Sequence, residues 1–164
     1  MSVIRKAKEE DISGIMEIYN KEIKEGIATF DTVEKKLDDM EKWYKEYGYK
    51  NPLIVSEEKG KIIGWAALSK YSTRCAYSDT AELSLYVKDE FQGKGMGKKL
   101  MKFVLEEGRK GGLHTIIARI TEGNESSVNL HKKFGFNYVG TYKEVGKKFG
   151  KTLDVVLMQK VYKD

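Results

Sequence analysis

Gln92-Gly93-Lys94-Gly95-Met96-Gly97-Lys98-Lys99 is the stretch on which the fold turns. Thr80–Val87 lies just upstream, where Ala81, Leu83, Leu85 and Val87 alternate with Glu82, Ser84 and Tyr86. That period of two marks a strand with one apolar face. Downstream, Met96, Leu100, Phe103 and Val104 recur at helical spacing to about Gly108. A glycine cluster between strand and helix leaves the first helical amides without acceptors, at the positive end of the helix. Glycines let a ligand approach that backbone, so the site suits phosphate oxygens. Lys94, Lys98, Lys99 and Lys102 surround it and suit a polyphosphate better than a duplex. A ligand-free turn is the alternative on this stretch alone. Two other phosphate motifs fail on spacing. Walker A needs glycine where Lys98 falls, counting from Gly93, and the dinucleotide fingerprint needs its third glycine at Lys98 or Leu100.

The 164 residues fit one domain over 1–164 with a sizeable core. Hydrophobic residues are 40% and charged residues 34%, with Lys and Glu interleaved and a net charge of +5. This reads as a solvated surface rather than a nucleic-acid arm. Cys75 is the single cysteine, so no intrachain disulfide forms, as suits a reducing compartment. No apolar run approaches the roughly 20 residues needed to cross a bilayer, and the N-terminus has no leader-like apolar region. The expectation is a cytoplasmic protein without a membrane partner or a metal.

The remaining elements follow from period and punctuation. Val3–Lys6 is a short strand. Asp11 precedes a helix with Ile12, Ile15, Met16, Tyr19 and Ile23 on one face, ended by Gly26. Asp31 or Thr32 is the expected cap of a second helix from Val33 to Tyr47. Leu53–Glu57 and Lys61–Lys70 form a hairpin. His114–Ile120 is a strand, and Asn124 caps a helix through Phe134. Phe136–Val145 and Thr152–Val161 are the last strands, joined through Gly146–Gly150. The order β-α-α-β-β-β-α-β-α-β-β implies α/β architecture, a mixed sheet with helices on both faces.

Gln92-x-x-Gly95-x-Gly97 in this setting resembles the acetyl-CoA pyrophosphate motif of the GNAT N-acetyltransferases. Asn124–Phe136 resembles the helix that follows in that family, with its Gly-Phe exit. Tyr77–Val87 and Glu144–Gln159 resemble the branch acting on phosphinothricin and methionine sulfoximine. Together these segments cover nearly the whole chain. The resemblance implies a GNAT-type, mostly antiparallel central sheet, opened in a V near Glu82–Val87 and His114–Ile120. Acetyl-CoA would be the co-substrate. Its pantetheine would bond backbone near Leu85, Tyr86 and Val87, and its pyrophosphate would sit on Gln92, Gly93, Lys94, Gly95, Met96, Gly97 and Lys98. Asn124 and Ser127 would touch it from the next helix.

Acetyl transfer needs a neutral amine, a stabilised oxyanion and a proton for the departing thiolate. Glu82 is the candidate base, through water, and Tyr86 shares its strand face and would orient substrate or water. A surface glutamate is the other reading of Glu82, which the resemblance overrides. His131 occupies the family's acid position and would protonate the thiolate, with Tyr138 as an alternative acid. A structural histidine is the competing reading of His131. The resemblance also gives Arg74 a substrate carboxylate to bind, places Tyr77 beside it, and makes Phe30 an aromatic cover, sometimes across a homodimer. A solvated loop arginine and a core phenylalanine are the plain readings of Arg74 and Phe30. Ser72, Asp79 and Ala81 depart from the branch pattern, so the amine is left open. The expected activity is direct N-acetylation of a small amino acid or analogue in a ternary complex. Protein N-acetylation and non-catalytic acyl-CoA binding are the alternatives.

Overall fold

The computed structural model describes residues 1–163; the expected domain's last residue, Asp164, lies outside them. Seven strands form one sheet: β1 (Val3–Lys6), β2 (Leu53–Glu58), β3 (Lys61–Lys70), β4 (Thr80–Val87), β5 (Thr115–Thr121), β6 (Asn137–Lys148) and β7 (Lys151–Val161). Four helices join them: α1 (Ile12–Glu25), α2 (Leu37–Tyr44), α3 (Met96–Lys110) and α4 (Glu125–Lys133). The strand order is β1-β2-β3-β4-β5-β7-β6. Among the described residues β4–β5 is parallel and the other neighbouring pairs are antiparallel.

Each face of the sheet carries its own core. On one, Leu100, Met101 and Val104 of α3 are fully buried against Leu83, Ile116, Ala118 and Ile120, with Val128 and Leu130 of α4 alongside. Burial of side chains of this size stabilises by roughly 1.5–3 kcal/mol each. On the other, Ile12, Ile15 and Ile18 of α1 and Met40 of α2 pack on Val55, Trp65 and Ala67, with Tyr19 and Tyr86 at the margin. The period-two pattern of β4 decides which side chain meets which core. Ala81 and Leu83 face α3, and Glu82, Ser84 and Tyr86 face the α1 side.

Two expectations are corrected here. The second helix begins at Leu37, not Val33, and its N-terminal flank is Lys36, whose amide donates to Asp39 at 3.2 Å. Asp31 is taken by a tertiary contact instead, since it accepts the Tyr19 hydroxyl. The last hairpin is longer than expected, with β6 running on to Lys148 and only Phe149-Gly150 turning. Both turn residues have positive φ, 54° and 72°, the backbone a two-residue hairpin prefers. Gly146 hid the strand's length. Its position needs glycine because an added Cβ would lie 2.1 Å from Cε2 of Phe30.

Candidate active site

β4 and β5 pair only over Thr80–Glu82 and Thr115–Ile117. Beyond that they part, β4 staying with β3 to Val87 and β5 with β7 to Thr121. The backbone register gives the gap its chemistry. The Lys88 amide donates to Ile63 and the Thr80 carbonyl accepts from Tyr71, so even-numbered residues of β4 bond toward β3. Alternation turns the amides and carbonyls of Leu83, Leu85 and Val87 into the gap. The Gln92 side-chain amide donates to the Val87 carbonyl at 3.0 Å, tying the glycine turn to the end of the strand.

Gly93 and Gly95 adopt φ of 74° and 83°, left-handed values that glycine takes without a Cβ penalty. Gly95 is the N-cap of α3. Among the described residues, no backbone acceptor meets the amides from Gly93 through Lys98, as expected for a first helical turn. Gly93, Lys94, Gly95 and Lys98 are exposed, whereas the Met96 side chain anchors the turn in the core. Gly97 couples the turn to the cleft. A Cβ there would lie 3.4 Å from Leu130 and 3.8 Å from Leu85, and both of those residues line the cavity.

That cavity measures about 600 Å³ and is lined by Phe30, Glu82, Leu85, Tyr86, Asn124, Ser127 and His131 among others. Seven of the residues singled out from sequence thus meet in one cleft. Asn124 caps α4, accepting the Ser127 amide at 3.3 Å. His131 is 6% exposed and packs edge-on to Phe136, ring centroids 4.9 Å apart. Its Nδ1 lies 2.7 Å from the Ser127 carbonyl. A carbonyl only accepts, so Nδ1 carries the proton and Nε2 keeps its lone pair. Burial lowers the His131 pKa below the imidazole norm, partly countered by this bond. The ring is therefore neutral at pH 7. Tyr138 is 61% exposed, bonds Thr141 at 2.8 Å and does not line the cleft.

Burial raises the Glu82 carboxyl above its ordinary range, and Arg119 pulls it part of the way back. An Arg119 nitrogen lies 3.6 Å from Glu82 Oε1. Tyr86 is driven up chiefly by burial, so its hydroxyl stays protonated. The loop carrying Phe30 is fixed from three elements. Thr121 donates to the Ile27 carbonyl at 2.6 Å, Tyr19 bonds Thr29 Oγ1 at 2.9 Å, and the buried Lys148 donates to the Thr29 carbonyl at 2.8 Å. The Phe30 ring then lies against Gly146 of its own chain.

Arg74 and Tyr77 are not among the lining residues. Both are exposed on the loop before β4, where Tyr77 packs on Tyr71 with centroids 5.3 Å apart. The sequence reading missed Arg119, Thr121, Tyr19 and Lys148. Arg119 left one signal: it is the single charged residue in Thr115–Thr121.

A cleft between parting parallel strands, with bare helix-start amides behind its Leu85 and Leu130 wall and a carboxylate inside, suits a group-transfer enzyme with a phosphate-bearing donor. The acetyltransferase (GNAT) domain family matches residues 4–157. The chain belongs to the GNAT acetyltransferases. It is 34% identical over 160 residues to the L-methionine sulfoximine/L-methionine sulfone acetyltransferase of Pseudomonas aeruginosa, covering 95% of this chain and 92% of that one. It is 35% identical over 156 residues to the phosphinothricin N-acetyltransferase of Streptomyces coelicolor, 93% and 91% covered. A GNAT phosphinothricin acetyltransferase from Sinorhizobium meliloti, solved in complex with acetyl-CoA, superposes with a TM-score of 0.92 at 32% identity over 98% of this chain and 88% of that one.

Proposed function

We propose that the protein moves the acetyl group of acetyl-CoA to the amine of a small amino acid or analogue, by direct attack in a ternary complex within one domain. The reading rests on the parting of β4 from β5 after Glu82. It opens a single cleft from the neighbourhood of the glycine turn to the half-buried carboxylate of Glu82. The relatives named above act on amino-acid analogues of this kind.

The amides of Gly93 through Lys98, with the α3 dipole behind them, would hold the diphosphate, and Lys94 and Lys98 would add charge at the rim. Pantetheine would bond the inward backbone of Leu85 and Val87, bringing the thioester past Asn124, Ser127 and Tyr86. Glu82, with its raised pKa, would take one proton from the ammonium through water, leaving a neutral nucleophile. The nitrogen adds to the thioester carbon and the C–S bond then breaks. His131 would take the second amine proton on Nε2 and pass it to the thiolate, giving amide and free coenzyme A thiol. A neutral imidazole suits that relay better than a permanently charged one. Phe30 would cover the acceptor. Arg74 and Tyr77, on the neighbouring loop, would form its outer rim.

A cytoplasmic setting fits the single cysteine, and no helix among the described residues is long and apolar enough to cross a membrane. Association as a homodimer would cover β6, an edge strand exposing Tyr138, Val139, Tyr142 and Val145. The activity is tested by incubating the protein with acetyl-CoA and a panel of amino acids, methionine sulfoximine, phosphinothricin, polyamines and a peptide. Release of free thiol with amino acids or analogues is expected. Release with the peptide alone would assign protein N-acetylation, and none with any amine would leave only acyl-CoA binding.

A further inference from the structure

We infer that Arg119 is the residue that reads the acceptor's carboxylate, so that the acceptor is an α-amino acid with its amine at Glu82 and its carboxylate at Arg119. The inference rests on the proposed amine acetylation and narrows its substrate.

Three observations lead there. The first is position. Ile116, Ala118 and Ile120 of β5 pack into the α3-side core, so Arg119 projects to the opposite face, the face of Glu82 and Tyr86. It lines the cavity, whereas Arg74 does not. The second is unused capacity. The 3.6 Å separation from Glu82 is an ion-pair distance beyond hydrogen-bond range. Among the described residues, the Arg119 guanidinium makes no hydrogen bond, and the side chain is 48% exposed. A guanidinium has five N–H donors in a planar fork that matches a carboxylate. The third is support. The guanidinium lies 5.9 Å from the centre of the Tyr71 ring, which itself packs on the ring of Tyr77. The side chain is thus held in place by an aromatic face while its donors stay free.

Lys148, bonded to the Thr29 loop, cannot substitute. It is buried, donates to the Thr29 carbonyl and lies outside the lining. The pairing also fits the acceptor's own geometry, because amine and carboxylate of an α-amino acid are borne by one carbon. Glu82 and Arg119 are near enough to engage both at once. An acceptor that brings an ammonium but no anion leaves the free donors of Arg119 without a partner. Polyamines and protein lysines are therefore disfavoured by a missing contact.

The test measures initial rates of thiol release at saturating acetyl-CoA. Each amino acid of the panel is compared with its own carboxamide, for the unaltered protein, Arg119→Gln, Arg119→Lys and Arg74→Gln. The unaltered enzyme should favour the acid over the carboxamide by roughly 10–100-fold in kcat/KM, the range of a hydrogen bond to a charged group. Arg119→Gln should raise KM for the acid by a similar factor relative to the carboxamide and so erase the preference, whatever change in kcat the two share through Glu82. Arg119→Lys should keep part of it, and Arg74→Gln should cost less than Arg119→Gln. Acetyl-CoA binding by each variant reports that it is folded. A preference that survives in Arg119→Gln, or that vanishes in Arg74→Gln instead, overturns the assignment. So does an unaltered enzyme indifferent to the carboxylate, with acetylation itself intact. Absence of thiol release with every amine would remove the acetylation reading and this inference together.

Discussion

The two ends of the cleft are built from different materials. On the proposed reading, the groups that would hold the donor at the glycine turn are backbone amides of consecutive residues from Gly93 to Lys98, at the start of α3. Those that would meet the acceptor are side chains from distant segments: Phe30 from the loop after α1, Glu82 from β4, Arg119 from β5 and His131 from α4. The backbone end depends on spacing and conformation, and on few side chains beyond the Met96 anchor. The side-chain end depends on identity at single positions. A common donor can be served by a fixed turn while acceptors are selected by a few exchangeable groups.

Several changes separate the two ends, beginning with the largest effect. Glu82→Gln should lower kcat by roughly 10²–10⁴-fold, while the Kd for acetyl-CoA measured by calorimetry stays the same. Unchanged turnover would remove Glu82 from the chemistry. Gly95→Ala should act in the opposite sense. A Cβ at φ 83° costs about 1–2 kcal/mol in the left-handed region, so acetyl-CoA should bind about tenfold more weakly, with the amine KM little altered. Equal loss at both substrates would show that the two ends are not separable. Gly146→Ala should push Phe30 aside, because the new Cβ would sit 2.1 Å from its ring. The expected result is a several-fold rise in amine KM, within the ~1–3 kcal/mol range of overpacking, and an unchanged acetyl-CoA Kd.

The subtlest separation is in pH dependence. Glu82 must be ionised to take a proton, and burial raises its pKa above the ordinary carboxylate value. Activity is lost as pH falls through that raised pKa, so the acid limb of kcat/KM should lie above ~4.3, the reference for glutamate. Removing Arg119 takes away the charge that holds the pKa down, and the limb should move further up in Arg119→Gln. A limb that moved down would contradict the pairing.

This division also explains what was legible in the sequence. The order of elements, the period of β4 and the glycine turn are local patterns, and the structure keeps them. Thr80–Val87 is the strand at the boundaries expected for it. The failures lie where distant residues intervene. Asp31 has the chemistry of a helix cap, but Tyr19 claims it, and α2 starts about one turn later than expected. Gly146 reads as a break, yet it is strand, kept bare by Phe30 from the other half of the chain. Arg119 reads as a surface charge on a β-branched strand. Its place beside Glu82 follows from the short parallel register of Glu82 on Ile117, set by two strands with α3 between them. Nothing within reach of either residue in the sequence encodes that pairing. The family resemblance supplied Glu82, His131 and Phe30, residues whose local sequence has an equally plain structural reading.

On the proposed function, bare amides at the turn hold the diphosphate of the donor. Calorimetry of acetyl-CoA against S-acetylpantetheine, which carries the same thioester without diphosphate or nucleotide, tests it directly. Saturable heat is expected with acetyl-CoA and binding weaker by at least about 100-fold with S-acetylpantetheine, as loss of several charge-assisted bonds requires. Equal affinity for the two, or no heat with acetyl-CoA, would contradict it.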